Sequence, residues 1–246
     1  MKKTIVVAGL GEVGKPLFDL ISRYHNATGV DVNPPASTVT DVDVLHVCYP
    51  FQIKDFVGTT ARYIEQYAPK LTVINSTVAV GTTRSVGERT RTPVAYSPVR
   101  GKHARMLDDM QKYTKFVGGM DSHAGEAAAA HFQSLGLKTR ILSSPEAAEI
   151  AKLTETTFFG LMIAWAQEVE RYADQVGQSY DEIVSFYDEI GFFPPVKYFP
   201  GVIGGHCVMP NIELLKRFTN SEILTAIESS NEKKEKREKE KPASRP

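Results

Sequence analysis

A β-favouring apolar run, Thr4 to Ala8, opens into glycines at 9, 11 and 14 and then into the helical spacing of Leu17, Leu20 and Ile21. The string GLGEVG fits GxGxxG, and its position between a strand and a helix constrains the fold more than any other stretch of the chain. Gly9 permits a tight turn, Gly11 lets backbone approach a pyrophosphate, and Gly14 allows the helix to pack closely. Glu12 and Val13 complete the turn, whose following helix offers unpaired amides to phosphate. Asp31 lies seventeen residues beyond the third glycine, placed to accept from a ribose hydroxyl. A carboxylate there repels a 2′-phosphate, and Val32, Asn33, Pro34 and Pro35 bring no arginine, so NAD is expected over NADP. The alternative is a glycine turn in a Rossmann domain that binds no nucleotide.

Strand and helix signals then alternate. Strands are expected near Ala27 to Val32, Val42 to Cys48, Leu71 to Asn75, Val94 to Tyr96, Lys115 to Val117 and Thr139 to Leu142, with helices at Ile53 to Tyr67 and Ala124 to Leu135. A short helix follows the loop STVAVGTT. This rhythm predicts an α/β fold, a doubly wound Rossmann-type parallel sheet over residues 1–143. From Ser144 the rhythm stops: Pro145 and Glu146 suit a helix start, and apolar spacing runs on to Val176. With helices at Tyr180 to Ile190 and Ile212 to Phe218, residues 144–230 read as a smaller helical domain. Residues 231–246 carry seven Lys or Arg and four Glu with almost nothing apolar, the pattern of a solvated or disordered solubilising tail.

The 246 residues hold 29 basic and 29 acidic side chains, and no apolar run is long enough to span a membrane. Neither a nucleic-acid nor a membrane partner is expected. The start lacks a signal-peptide pattern, and two cysteines 159 positions apart fit a cytoplasmic protein with reduced thiols. Cys48 lies inside a strand run and reads as a small core residue. Cys207 stands in PGVIGGHCVMPN, where Gly201, Gly204 and Gly205 allow close approach to a ligand and present a thiol on a loop. His206 beside it is read as solvent-facing or structural, and with no HxxxH pair no metal site is expected. Arg100, Lys102, His103 and Arg105 form a basic cluster after the SP turn, which suits an anionic substrate or a merely solvated loop.

GLGEVGKPL at 9–17, INSTVAVGTT at 74–83, YSPVR at 96–100, AEIAKLTE at 148–155 and GGHCV at 204–208 together resemble the UDP-glucose/GDP-mannose dehydrogenases, and most closely the branch acting on UDP-N-acetylmannosamine. The resemblance covers residues 1 to about 215 and implies an NAD-binding Rossmann domain followed by a helical domain whose long helix builds a dimer. It also implies two hydride transfers, with a cysteine thiolate forming a thioester that water opens to a carboxylate. By position Cys207 matches the nucleophile and Lys152 the lysine that stabilises the oxyanion. Thr77 falls at a strand's carboxyl end, where ligands bind in doubly wound sheets, and the loop residues Gly204, Gly205 and His206, with Arg100 and His103, are the candidate substrate contacts. Glu168 matches only half of the family's NE pair, Gln167 replacing the asparagine, and reads as structural or on the NAD side.

The chain departs from the family at three polar positions: Val99 replaces a glutamate after SP, Thr156 an asparagine, and Asn211 an aspartate. Thr156 and Asn211 stay in the catalytic set by position, but the hydrolytic half of the reaction loses groups that manage water and protons. The family's C-terminal nucleotide-sugar domain is not expected here, since only a short helix and a charged tail follow Phe218. The leading expectation is an NAD-dependent oxidoreductase, a homodimer, oxidising an alcohol of a sugar or related anionic metabolite. A non-catalytic NAD-binding or regulatory protein, and an S-adenosylmethionine-dependent transferase using the same glycine loop, are the alternatives.

Overall fold

The computed structural model describes residues 2–31, 39–101, 105–187, 199–205 and 207–240. The chain divides into two compact units, Met1–Lys152 and Leu153–Pro246.

In the first unit the elements run β1 (Thr4–Ala8), α1 (Gly14–Ser22), β2 (Asn26–Val30), β3 (Val44–Val47), α2 (Phe56–Tyr67), β4 (Leu71–Ile74), α3 (Thr82–Thr90), β5 (Val94–Tyr96), α4 (Met106–Lys112), β6 (Lys115–Gly119), α5 (Ser122–Ser134) and β7 (Thr139–Leu142). The strands form one sheet in the order β2-β1-β3-β4-β5-β6-β7. Strand side chains alternate between two separate cores, which is why these strands read as continuous apolar runs. Ile5, Val7, Val44, Leu71, Val73 and Ala95 join Leu17, Leu20 and Ile21 of α1, Met110 of α4 and Phe132 of α5. Val6, Ala8, Leu45, Val47, Ile74 and Tyr96 join Phe56, Tyr63 and Tyr67 of α2 and Val86 of α3.

One pairing differs from the all-parallel expectation. β5 and β6 run antiparallel, with Ala95 opposite Gly119 and Tyr96 opposite Gly118. The connection contains α4, which the sequence reading did not anticipate, yet it is no parallel crossover. β6 then turns into α5 at close quarters, where a Cβ on Gly119 would lie 2.2 Å from Gly125 N. Asp121 caps α5 by accepting from Ala124 N at 2.7 Å.

α6 (Pro145–Gln175) begins with proline in its first turn and with the Ser144 hydroxyl accepting from Ala147 N at 3.1 Å. The division between the units falls within this helix, after Lys152, rather than at the expected 143/144 boundary. The second unit holds the rest of α6 with α7 (Tyr180–Ser185), α8 (Val208–Phe218) and α9 (Glu222–Glu240). The expected extension of α7 to Ile190 runs into residues outside those described.

The charged stretch from 231 is a correction. Residues 231–240 continue α9 instead of forming a solvated or disordered tail, and 241–246 lie outside the described residues. Leu224, Ile227, Asn231 and Lys234 are buried at helical spacing, so the inward stripe changes from apolar to polar halfway and loses its hydrophobic signature. Lys234 meets Glu170 of α6 at 2.6 Å, and Arg237 pairs with Asp174.

Within the first core, His46 and His131 are fully buried, with Nε2 atoms 2.9 Å apart, and Asn75 Nδ2 lies 3.0 Å from His46 Nδ1. Burial holds His46 well below the ordinary imidazole range and His131 down to about 3. Because the unfolded rings titrate near pH 6.5, the unfolded state takes up more protons below that value. Stability is therefore complete above about pH 6.5 and falls by about 1.4 kcal/mol per pH unit for each ring on acidification. Thermal unfolding should show a falling midpoint from pH 7 to pH 5, and His46→Leu/His131→Leu should flatten that slope.

Candidate functional site

The two flanks of β1 receive β2 on one side and β3 on the other, which makes the carboxyl ends of β1 and β3 the switch point of the sheet. The glycine turn sits there. Gly9 has φ +90°, and a Cβ on it would lie 2.6 Å from Tyr49 N beyond β3. Its own N–H donates to Val30 O at 2.8 Å, tying the turn to the end of β2 beside Asp31. A Cβ on Gly14 would come within 1.7 Å of Gly9 O, so α1 reaches the turn only because residue 14 has no side chain. A Cβ on Gly11, by contrast, would meet nothing within 4 Å. The turn is packed beneath Gly9 and Gly14 and open at Gly11, a cradle that leaves backbone room for a pyrophosphate. Glu12 is exposed, Val13 is the N-cap of α1, and Asp31 is exposed, its carbonyl accepting from Tyr63 Oη at 3.0 Å.

Thr77 is half-buried just past β4. The preceding Ser76 hydroxyl donates to Tyr49 O at 2.6 Å, joining the loops after β3 and β4. Glu149, fully buried in the first turns of α6, accepts from Gly81 N at 2.6 Å and from Thr83 N and Oγ1 at 2.9 and 2.7 Å. It thereby fixes the start of α3 after the STVAVGT loop. Burial raises the Glu149 carboxyl above its ordinary range, against the pull of these three donors. Lys152 follows one turn later and is half-buried.

Sequence reasoning missed Lys115, at the start of β6. Its Nζ is buried, donates to Ser97 O at 2.8 Å and Pro98 O at 3.0 Å, and lies 4.9 Å from the centre of the Phe132 ring. Burial pushes the ammonium down to about 7, with Lys152 acting in the same direction. A lysine opening an otherwise apolar strand was the available signal. Its two backbone acceptors belong to the SPVR turn, whose Val99 packs into the core with Met106 and Met110, and Asn75 Oδ1 is a third acceptor at 3.5 Å. Arg100 places its guanidinium 5.5 Å from the Tyr113 ring centre and 5.6 Å from that of Phe116. Arg105 is 3.9 Å from Asp109. Lys102 and His103 lie outside the described residues.

In the second unit, Cys207 is exposed and is the N-cap residue of α8. Gly204 and Gly205 before it are exposed, with open space where a Cβ would stand, and Gly205 has φ +79°. His206 lies outside the described residues. Asn211 is buried one turn into α8, its N–H donating to Cys207 O at 3.2 Å, and Thr156 is half-buried on α6. Glu168 pairs with Arg171, which holds its carboxyl below the ordinary range. Cys48 is buried, its thiol pushed up to about 12 by desolvation, which leaves it protonated and inert at neutral pH. Among the described residues no group of His, Cys, Asp and Glu could hold a metal ion, and no helix is long and apolar enough to cross a membrane.

The contrast between glycines is testable. Gly9→Ala should lower stability by about 1–2 kcal/mol from the left-handed backbone alone, with the clash at Tyr49 adding to it. Gly11→Ala should leave the thermal midpoint within error of the parent.

Residues 146–233 match the central domain of the UDP-glucose/GDP-mannose dehydrogenase family. The chain is 24% identical to the NDP-N-acetyl-D-galactosaminuronic acid dehydrogenase of Ralstonia nicotianae over 84% of its own length and 62% of that protein's. It thus spans about three fifths of the length of such curated relatives. Among solved structures, UDP-D-ManNAc dehydrogenase from Pyrococcus horikoshii shares the fold with a TM-score of 0.81 at 18% identity, covering 94% of this chain and 68% of that one. The 3-hydroxyisobutyrate dehydrogenase of Mycobacterium tuberculosis shares it with a TM-score of 0.71 at 16% identity, covering 98% of this chain and 95% of that one. Residues 146–233 are thus similar to that family's central domain, and the chain as a whole is similar at 24% identity to a curated nucleotide-sugar dehydrogenase.

Proposed function

We propose that the protein is an NAD-dependent oxidoreductase that oxidises an alcohol of a sugar or related anionic metabolite. The observation that carries this reading is the glycine turn at the switch point, packed beneath Gly9 and Gly14 and open at Gly11, in a chain related to nucleotide-sugar dehydrogenases. That relationship favours dehydrogenation over methyl transfer or binding alone. The residues fit the cofactor: the amides at the start of α1 would hold its pyrophosphate, and Asp31 would accept from its ribose. When bound, NAD accepts a hydride from the substrate carbon.

The chain's own residues do the rest. Lys152 offers a cation to the substrate oxygen as it loses its proton, stabilising the alkoxide. Thr77 lines the crevice of the first unit, and Arg100 offers a cation to an anionic substrate. Cys207 attacks the carbonyl product where the reaction continues, with Thr156 and Asn211 beside the thiol chemistry. Hydrolysis of a thioester is the step this chain is poorly equipped for, because Val99 is a core side chain and has no proton to exchange. A two-electron oxidation follows. We also assign a homodimer, in a cytoplasmic setting: α6 exposes Phe158, Phe159, Leu161, Trp165 and Tyr172, an apolar surface that a second copy would cover.

Thermal shift with NAD, NADP and S-adenosylmethionine tests the cofactor by linkage. NAD is expected to bind at least about tenfold tighter than NADP, or about 1.4 kcal/mol; equal binding of NADP overturns the assignment to Asp31. A panel of sugar nucleotides, sugar phosphates and small hydroxy acids should then give one NADH per product. Two NADH per carboxylate refutes the two-electron reading, and a monomer by light scattering at micromolar concentration refutes the dimer.

A further inference from the structure

The segment 199–205 that leads to Cys207 has no helix or strand of its own, yet Ile203 within it is buried. Two buried amides hold it. Asn231 of α9 accepts from Ile203 N at 2.7 Å through Oδ1 and donates to Ile203 O at 3.2 Å through Nδ2, a two-point contact of the kind a neighbouring strand would make. Gln167 of α6 donates to Gly201 O at 2.6 Å and to Asn231 Oδ1 at 3.4 Å, while its Oε1 accepts from Ser230 Oγ at 3.0 Å. The second N–H of Asn231 goes to Glu235 Oε1 at 3.2 Å. Backbone fixes the orientation of both amides, since Ile203 N can only donate and Gly201 O can only accept. All four amide N–H bonds are used, and a buried amide left unpaired would cost about 1–3 kcal/mol, so the segment and the two helices constrain one another. On the far side of the thiol, Val208 packs on α6 where a Cβ on Gly160 would lie 2.5 Å away. The backbone around Cys207 is thus anchored before it by amides and after it by packing.

We propose that Asn231, acting with Gln167, is a positioning residue for the Cys207 thiol: α9 sets where the sulfur stands by clamping the segment that delivers it. The inference rests on the reading of Cys207 as a reacting group, and it makes the charged C-terminal helix part of the site's framework.

The test uses the full chain. Cys207 alkylation by iodoacetamide is followed by peptide mass across pH in the parent, Asn231→Leu and Gln167→Glu. Gln167→Glu keeps the acceptor for Ser230 and loses the donor to Gly201, and it stands in if Asn231→Leu fails to fold. The expected result is a change of at least about fivefold in alkylation rate with a displaced pH profile. The affinity for NAD should be kept. A folded variant whose alkylation rate and pH profile both match the parent overturns the proposal. Altered alkylation together with full turnover in Cys207→Ala supports the clamp and overturns the catalytic reading of the thiol instead.

Discussion

The carbonyl of Gly9 occupies the space that a side chain at residue 14 would need, and this one close approach sets the geometry of the first unit's ligand crevice. It lets α1 start directly against the turn after β1, so the helix's unpaired amides and the positive end of its dipole face the switch point of the sheet. The same turn is tied to β2 through Gly9 N and Val30 O and presses on Tyr49 after β3. Tyr49 in turn packs with Phe56 and Tyr63 of α2, whose hydroxyl reaches Asp31 O. A single backbone contact thereby fixes the turn, the helix it feeds and the end of β2 at Asp31.

Much of this was legible because the physical cause and the sequence signal coincide. Strands facing two cores must be apolar on both faces, and β1, β3 and β4 were readable from that property, whereas the edge strands β2 and β7 are only partly buried and were placed by their alternation with helices. Strand direction is not encoded in composition: β5 and β6 each look like a buried strand, and only their pairing reveals that they are antiparallel. α9 was misread for a different reason. Its inward stripe ends in Asn231 and Lys234, whose burial is balanced by the Ile203 backbone and Glu170, and neither partner is near in sequence. Charge density reports how a segment behaves when it is alone, and α9 lies against α6.

The same limit applies to the site. Gly9 and Gly14 were readable because close backbone approach demands glycine at that spacing. Glu149, Lys115 and Asn231 were not, because each acts on backbone far away in the chain: the start of α3, the turn after β5, and the segment before Cys207. Side chains that satisfy distant backbone groups carry no local pattern. Their signature is a polar residue at a buried position of a helix or strand, and burial is known only once the fold is known.

The turn after β5 shows how such a group limits chemistry. Two consecutive carbonyls, from Ser97 and Pro98, point at the Lys115 ammonium, and Val99 follows into the core. Burial first and the Lys152 ammonium after it favour the neutral lysine against the opposing influence of Cys48, and the balance brings the ammonium down to about 7. A carboxylate at residue 99 would sit within this packed layer beside the lysine, and valine there leaves the turn apolar at the point where the family resemblance implies a proton-handling group. Lys115 is itself tied down, with two N–H groups on the backbone of the turn and one toward Asn75 Oδ1 at 3.5 Å.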